Sequence, residues 1–384
     1  MNELSENLQS IFEEKFKRKP ALYYSPGRIN LIGEHVDYND GFVMPAAIDK
    51  GMYYAVALNG SDSSNFYAVD FDESLSIDIH DIHKMDSWKN YVLGVMNELQ
   101  NAGKELAGFD CVFGGNIANG AGMSSSAAVE GGVAFSLNDL LSFSLDRKEM
   151  ALLCQRAEHN YPGVKCGIMD QYANMFGKKN HVMLLDCRSV THEYFPLILE
   201  GYNLVLINTK VHHSLAASQY NQRRKECDEG LHILKEEGGM KSFRDVADSS
   251  ELENFRNKMN ENVFKRCKYV VEEIARTQQA AAFLKENNIN EFGRLMFQTH
   301  EGLRHLYEVS CKELDFLVDH AAQFDGVAGA RLMGGGFGGC TINIVRTQSK
   351  QSFINDILPA YKKAFGIDAE VYEVDVVEGT HRLS

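Results

Sequence analysis

Three stretches of this 384-residue chain gather residue types that could do chemistry. In GAGMSSSAAVEGG, from Gly120 to Gly132, Ser124, Ser125 and Ser126 follow Gly120 and Gly122 and precede a small-residue apolar run. A helix beginning there has its first backbone N–H groups free. Glycine backbones allow close approach. Hydroxyls, amides and the helix dipole can then converge on an anion. The lysine of G-x-x-x-x-G-K-[ST] is absent, so this is not a P-loop. The stretch reads either as a phosphate cradle of a different kind or as a serine-capped helix.

The second stretch, GGGFGG (Gly334–Gly339), satisfies G-x-G-x-x-G, but CTINIV follows it. That continuation is strand-like, and no βαβ unit surrounds it, so a dinucleotide-binding reading fails on context. It is either a tight loop joining two strands or a loop that approaches phosphates closely. The third stretch, SPGRINLIGEHVDYNDG (Ser25–Gly41), packs Arg28, Glu34, His35, Asp37 and Asp40 around the apolar Ile29–Ile32 segment. Carboxylates and an imidazole together suit a polyol, whose hydroxyls need donors and acceptors. The alternative is a solvated loop with local ion pairs. E-H-x-D is not a helical H-E-x-x-H, which argues against zinc.

The elements that position these residues follow from periodicity. MNELSENLQSIFEEKFKRKP reads as a polar amphipathic helix. Leu75, Ile77 and Ile79 alternate with polar residues, and Met52–Leu58 and Phe109–Phe113 are strand-like. Val129, Val133, Leu137 and Leu140 recur at helical spacing, and Met150–Asn160 continues as helix. His181–Asp186 and Tyr202–Asn208 return to strand, and residues from about Ala216 to Phe324 are mainly helical. A strand after the second glycine run, a helix and a last strand complete the chain. Strands and helices without strict βα alternation define an α+β fold. A turn-rich stretch near Arg188–Gly201 suggests a boundary between residues 1–190 and 191–384.

Composition narrows the function classes. Hydrophobic residues make up 44% of the chain, ordinary for a globular protein, and the formal charge is −14. So acidic a chain is no general nucleic-acid or membrane-surface binder. The eight cysteines lack any C-x-x-C pair, which favours reduced, structural thiols. No stretch has the apolar length of a bilayer span, and the N-terminus lacks a signal-peptide core. The expectation is a cytoplasmic protein with small-molecule partners, no nucleic acid, no membrane and no obligate protein partner.

In this order, the three stretches resemble those of the GHMP kinase superfamily. Within it, GRINLIGEHVDYNDG resembles the signature of the galactokinase family. The resemblance continues through GAGMSSSAA, CGIMDQYANMFG (Cys166–Gly177) and GARLMGGGFGGC, and so spans nearly the whole chain. It implies a fold of two α+β lobes with the active site in the cleft between them. The implied reaction is MgATP-dependent phosphorylation of the anomeric hydroxyl of α-D-galactose, giving galactose 1-phosphate and ADP.

The resemblance also implies roles. Gly120, Ala121, Gly122, Met123, Ser124, Ser125, Ser126 and Ala127 match positions that hold nucleotide phosphates. Trp88 and Tyr91 match aromatic positions beside the adenine, although core packing also accounts for them. Asp170 matches the catalytic aspartate, which accepts the hydroxyl proton, and Arg28 the active-site arginine. Ser126 and Glu158 match magnesium positions; a hydroxyl and a carboxylate suit that hard cation. Glu34, His35, Asp37, Gly167, Asp170 and Tyr220 match sugar-binding positions. His212 and His213, close before Tyr220, read as surface residues.

Two departures stand out. Ile117-Ala118-Asn119 replaces a proline the family often has before the phosphate loop, and Met123 stands where leucine is usual. Neither removes a polar group the chemistry needs. The competing readings are an N-acetylgalactosamine kinase, which can share the signature, and a non-catalytic sugar and ATP sensor. The intact Ser124–Ala128 run, Arg28 and Asp170 favour the enzyme.

Overall fold

The structure, a computed structural model, describes residues 3–118, 120–211 and 216–384. The first half comprises α1 (Glu3–Phe16), β1 (Ala21–Asn30), β2 (Phe42–Val43), β3 (Pro45–Leu58), β4 (Ser63–Ala68), β5 (Glu73–Asp78), α2 (Lys89–Asn101) and β6 (Phe109–Gly115). It continues with α3 (Ser125–Leu140), α4 (Arg147–Asn160), α5 (Met169–Phe176), β7 (His181–Asp186) and β8 (Thr191–Pro196). The second half comprises β9 (Tyr202–Asn208), α6 (Ala216–Gly238), α7 (Glu261–Lys285), α8 (Ile289–His305) and α9 (Lys312–Gln323). Then come β10 (Val327–Leu332), β11 (Cys340–Arg346), α10 (Lys350–Phe365), β12 (Glu370–Glu373) and β13 (His381–Arg382).

The strands form a six-stranded sheet in the order β13-β1-β3-β6-β4-β5, a four-stranded sheet β10-β11-β9-β12 and a three-stranded sheet β2-β7-β8. All neighbours are antiparallel except β4 and β6. Period-two patterning does what it should in β5, where Leu75 and Ile77 are buried between exposed neighbours. The α+β class holds. The Arg188–Gly201 stretch is less turn-rich than its composition suggests: it contains β8, whose short alternation pairs with β7. The chain end crosses back to the first sheet, where β13 pairs with β1 through Tyr23↔Arg382 and Tyr24↔His381.

Helix starts follow local chemistry where a cap is available. Asp146 and Glu149 form a reciprocal capping box at α4, and Asn260 caps α7. The start of α3 is different. Ser124 has φ +61° and its side chain makes no cap bond.

Packing explains why the third stretch is pinned in place. Ile29, Leu31 and Ile32 are fully buried in a core shared with Leu204 and Leu206 of β9, Ile342 and Ile344 of β11 and helix α8. Each such side chain contributes about 1.5–3 kcal/mol on burial. The charged residues just after them are therefore carried to the join between the two halves. Among the described residues no helix is long and apolar enough to cross a membrane.

Candidate active site

Arg28 lies near the end of β1 and Asp170 in the first turn of α5, 142 residues later. Arg28 Nε donates to Asp170 Oδ1 at 2.9 Å and Nη2 donates to Oδ2 at 3.2 Å. This two-pronged pairing fixes both the position and the orientation of the carboxylate. Arg28 Nη1 also donates to the Gly122 carbonyl. Ser124 Oγ donates to Asp170 Oδ2 at 2.5 Å. The hydroxyl that could have capped α3 is thus spent on Asp170, and the serine-capped reading of the run does not hold for Ser124. The left-handed backbone at Ser124 is costly for a non-glycine residue, and it turns this side chain away from the helix.

The two glycine runs meet. A Cβ on Gly122, at φ +73°, would lie 2.9 Å from the Met333 carbonyl, and one on Gly334 would lie 3.2 Å from the Gly122 carbonyl. GGGFGG is the hairpin loop between β10 and β11, as its strand-like continuation predicts, and its backbone rests on the first glycine loop. Ala121 and Met123 are buried and anchor that loop in the shared core.

Glu34, His35 and Asp37 follow on the turn after β1. Arg331 of β10 donates to Glu34 Oε2 at 2.8 Å, and the Gly334 N–H donates to the same oxygen at 3.0 Å. Burial alone would push the Glu34 carboxyl upward, but the charges of Arg331 and Arg28 outweigh it and hold the pKa below the usual carboxylate value. Tyr269 of α7 donates to the Glu34 carbonyl at 2.9 Å. Buried His35 is driven down to about 4 by desolvation and is neutral.

Asp37 accepts the Met169 N–H at the start of α5, yet burial and the charges of Asp170 and Glu34 push it up to about 7. Gly167 passes against it: a Cβ there would lie 2.0 Å from Asp37 Oδ2, so only glycine fits. The Tyr220 ring lies 5.3 Å from that of His35, centroid to centroid. Arg28, Glu34, His35, Asp37, Asp170 and Tyr220 line one cavity of about 110 Å3, with Glu158, Val164, Cys166, Met169, Gly334 and Gly335 completing its wall. A more open groove of about 570 Å3 lies beside Arg244 and Arg276. Those arginines are already paired with Asp186 and Glu273, so its size does not mark a second centre.

Ser126, on the first turn of α3, hydrogen-bonds the Glu158 side chain. Burial and the Asp170 charge push Glu158 up to about 7, against the hydroxyl of Ser126 and the amide of Gln171. A carboxyl whose charged form is disfavoured by burial and by a neighbouring charge, with a hydroxyl on it, is a donor set that a dication would relieve.

Trp88 and Tyr91 lie outside the cavity wall. Trp88 is 5% exposed, packs on Phe113 at 5.3 Å between ring centroids and donates Nε1–H to Glu73 at 3.0 Å. Tyr91 is half-buried, and its phenol is pushed up by burial and the nearby charges of Glu158 and Glu130. Ser125 and Ala127 stand in the first turn of α3. His212, His213 and Asn119 lie outside the described residues.

Several contributors escaped the sequence reading. Arg331 sat unremarked inside GARLMGGGFGGC. Glu130 is fully buried on α3, with Gln171 bridging it to Glu158. Tyr38 and Tyr307 stack hydrogen bonds behind His35. A carboxylate among the small residues of AAVEGG was the one available signal for Glu130; the others depend on distant pairing.

An α+β fold with a lysine-free glycine–serine loop, a hairpin glycine loop against it and an arginine-paired aspartate defines a GHMP kinase. Profiles for the GHMP kinases N terminal domain and the GHMP kinases C terminal match residues 90–178 and 280–364, and one for the galactokinase galactose-binding signature matches residues 10–58. The chain is 40% identical to a galactokinase of Clostridium perfringens, covering 98% of this chain and 99% of that one. It is 41% identical to a galactokinase of Bacillus subtilis, covering 99% of each. The solved Lactococcus lactis galactokinase, complexed with galactose, superposes with a TM-score of 0.96 at 34% identity, over 99% of this chain and 100% of that one. The chain belongs to the galactokinase family.

Proposed function

We propose that this chain catalyses ATP-dependent phosphorylation of α-D-galactose at its C1 hydroxyl, with galactose 1-phosphate and ADP as products. The observation that carries the proposal is Asp170, held by Arg28 and Ser124 at the wall of a cavity whose other polar groups suit a polyol. As the C1 oxygen bonds to the γ-phosphorus and the bond to the ADP oxygen breaks, the hydroxyl proton passes to Asp170. Arg28 holds that carboxylate in place and offsets charge building on the transferring group. The free amides at the start of α3 receive the phosphates, which is why no lysine is needed there. Glu34 and Asp37 accept from sugar hydroxyls.

Ser126 and Glu158 would hold the magnesium ion that accompanies ATP; when bound, it neutralises phosphate charge. Trp88 and Tyr91 are proposed to flank the adenine site. All eight cysteines are free thiols, in keeping with a reducing, cytoplasmic setting.

The test is ADP release by the purified protein with MgATP, comparing D-galactose, N-acetylgalactosamine, glucose and no sugar. Galactose-dependent turnover well above the others is expected. A preference for N-acetylgalactosamine would replace the substrate assignment. ATP binding without turnover on any sugar would replace the enzyme by a sensor.

A further inference from the structure

His35 Nε2 lies 3.2 Å from the Gly335 carbonyl oxygen, and a carbonyl can only accept, so Nε2 carries the hydrogen. His35 is neutral and has one ring proton, which leaves Nδ1 a bare acceptor. Tyr38 Oη, 2.8 Å from Nδ1, must therefore donate to it. A phenol has a single hydrogen, so Tyr307 Oη, 2.8 Å from Tyr38 Oη, must donate in turn to Tyr38. Cys227 Sγ, 3.2 Å from Tyr307 Oη, then supplies the last hydrogen. The direction of every bond in this chain follows from that carbonyl oxygen and the neutral imidazole. Tyr307 and Cys227 are fully buried, and burial keeps both tyrosines neutral.

We infer that Tyr38, backed by Tyr307, is a positioning residue that holds the His35 ring with its protonated Nε2 on the Gly335 carbonyl, so that the turn after β1 is latched to the GGGFGG loop at the cavity wall. The inference rests on the galactose-kinase reading only for the sugar used in the kinetic test.

The first experiment needs no substrate: long-range proton–nitrogen correlation of the full chain labelled with 15N-histidine, with His35 identified by its absence in His35→Gln. The expected wild-type pattern has the proton on Nε2 and a hydrogen-bonded, pyridine-type Nδ1. In Tyr38→Phe the Nδ1 resonance should move towards that of an unbonded acceptor. A proton on Nδ1 in the wild type, or an Nδ1 resonance unmoved in Tyr38→Phe, would overturn the inference. Should Tyr38→Phe fail to fold, the wild-type spectrum decides alone: an Nδ1 resonance at the position of an unbonded acceptor would overturn the inference.

The second readout is kinetic. Tyr38→Phe should raise KM for galactose by about tenfold, the effect of one lost hydrogen bond, while KM for ATP stays put. Equal changes in both would mean a merely structural role and overturn the proposal. No turnover of any sugar by the wild type would remove the galactose reading but leave the tautomer result standing.

Discussion

Arg331 and Glu34 form an ion pair 2.8 Å apart that joins the two halves of the chain, with side chains 0% and 3% exposed. Arg331 also donates to the carbonyls of Leu31, Asn30 and Leu332, so one guanidinium ties β10 to the end of β1 and to the turn that follows it. Removing one member of such a pair leaves the other charge buried and alone. Arg331→Met should therefore lose about 3–5 kcal/mol of stability in urea unfolding. A loss below 1 kcal/mol would show that solvent reaches Glu34 freely.

Asp170 is the carboxylate of the cavity that Arg28 and Ser124 hold together. Asp170→Asn keeps its shape but cannot take a proton, and turnover should fall by a factor of about 10²–10⁴. Galactose binding, measured by calorimetry, should survive because the other polar groups of the cavity remain. Wild-type turnover in this variant would remove Asp170 from its role.

The buried imidazole links stability to pH. His35 has its folded pKa lowered to about 4 from 6.5, so between those values the unfolded chain binds a proton that the folded one refuses. Stability from this group is present above pH 6.5 and is lost as pH falls towards 4, by on the order of 3 kcal/mol. Glu34 opposes the shift, and Arg223 and Arg331 reinforce it. Unfolding free energies of wild type and His35→Gln across pH 4–7 should diverge accordingly, with the variant showing the flatter acid limb. Parallel curves would show that His35 is solvated in the folded state.

Glu158 gives the metal prediction. Glu158→Gln removes the carboxylate charge but keeps a partner for Ser126, and the magnesium concentration for half-maximal rate should rise about tenfold. An unchanged midpoint would place the cation elsewhere.

Much of the site was legible because its chemistry is local. Glu34, His35 and Asp37 stand within four positions, and Ser124–Ser126 and Asp170 sit in short, distinctive runs. Some strands were legible too, since β7 and β9 coincide with continuous apolar runs, whereas β1 and β4 were not read as strands. The strand β8 was missed because half-exposed THEYFP carries little apolar signal. Partners remote in the chain were not legible. Nothing near Arg331 says that it will face Glu34, 297 residues away, and nothing near Tyr307 ties it to Tyr38, 269 residues away.

By itself, then, the sequence determined which residue types the site would own, because glycine spacing, serine runs and clustered charges are properties of neighbours in the chain. Tertiary structure alone decided what those groups do. Ser124 binds a carboxylate instead of capping its helix, GGGFGG braces the first loop, and the two tyrosines fix the donor face of His35. Hydrogen-bond direction, ionisation and close backbone approach depend on distances between segments, and folding sets those distances.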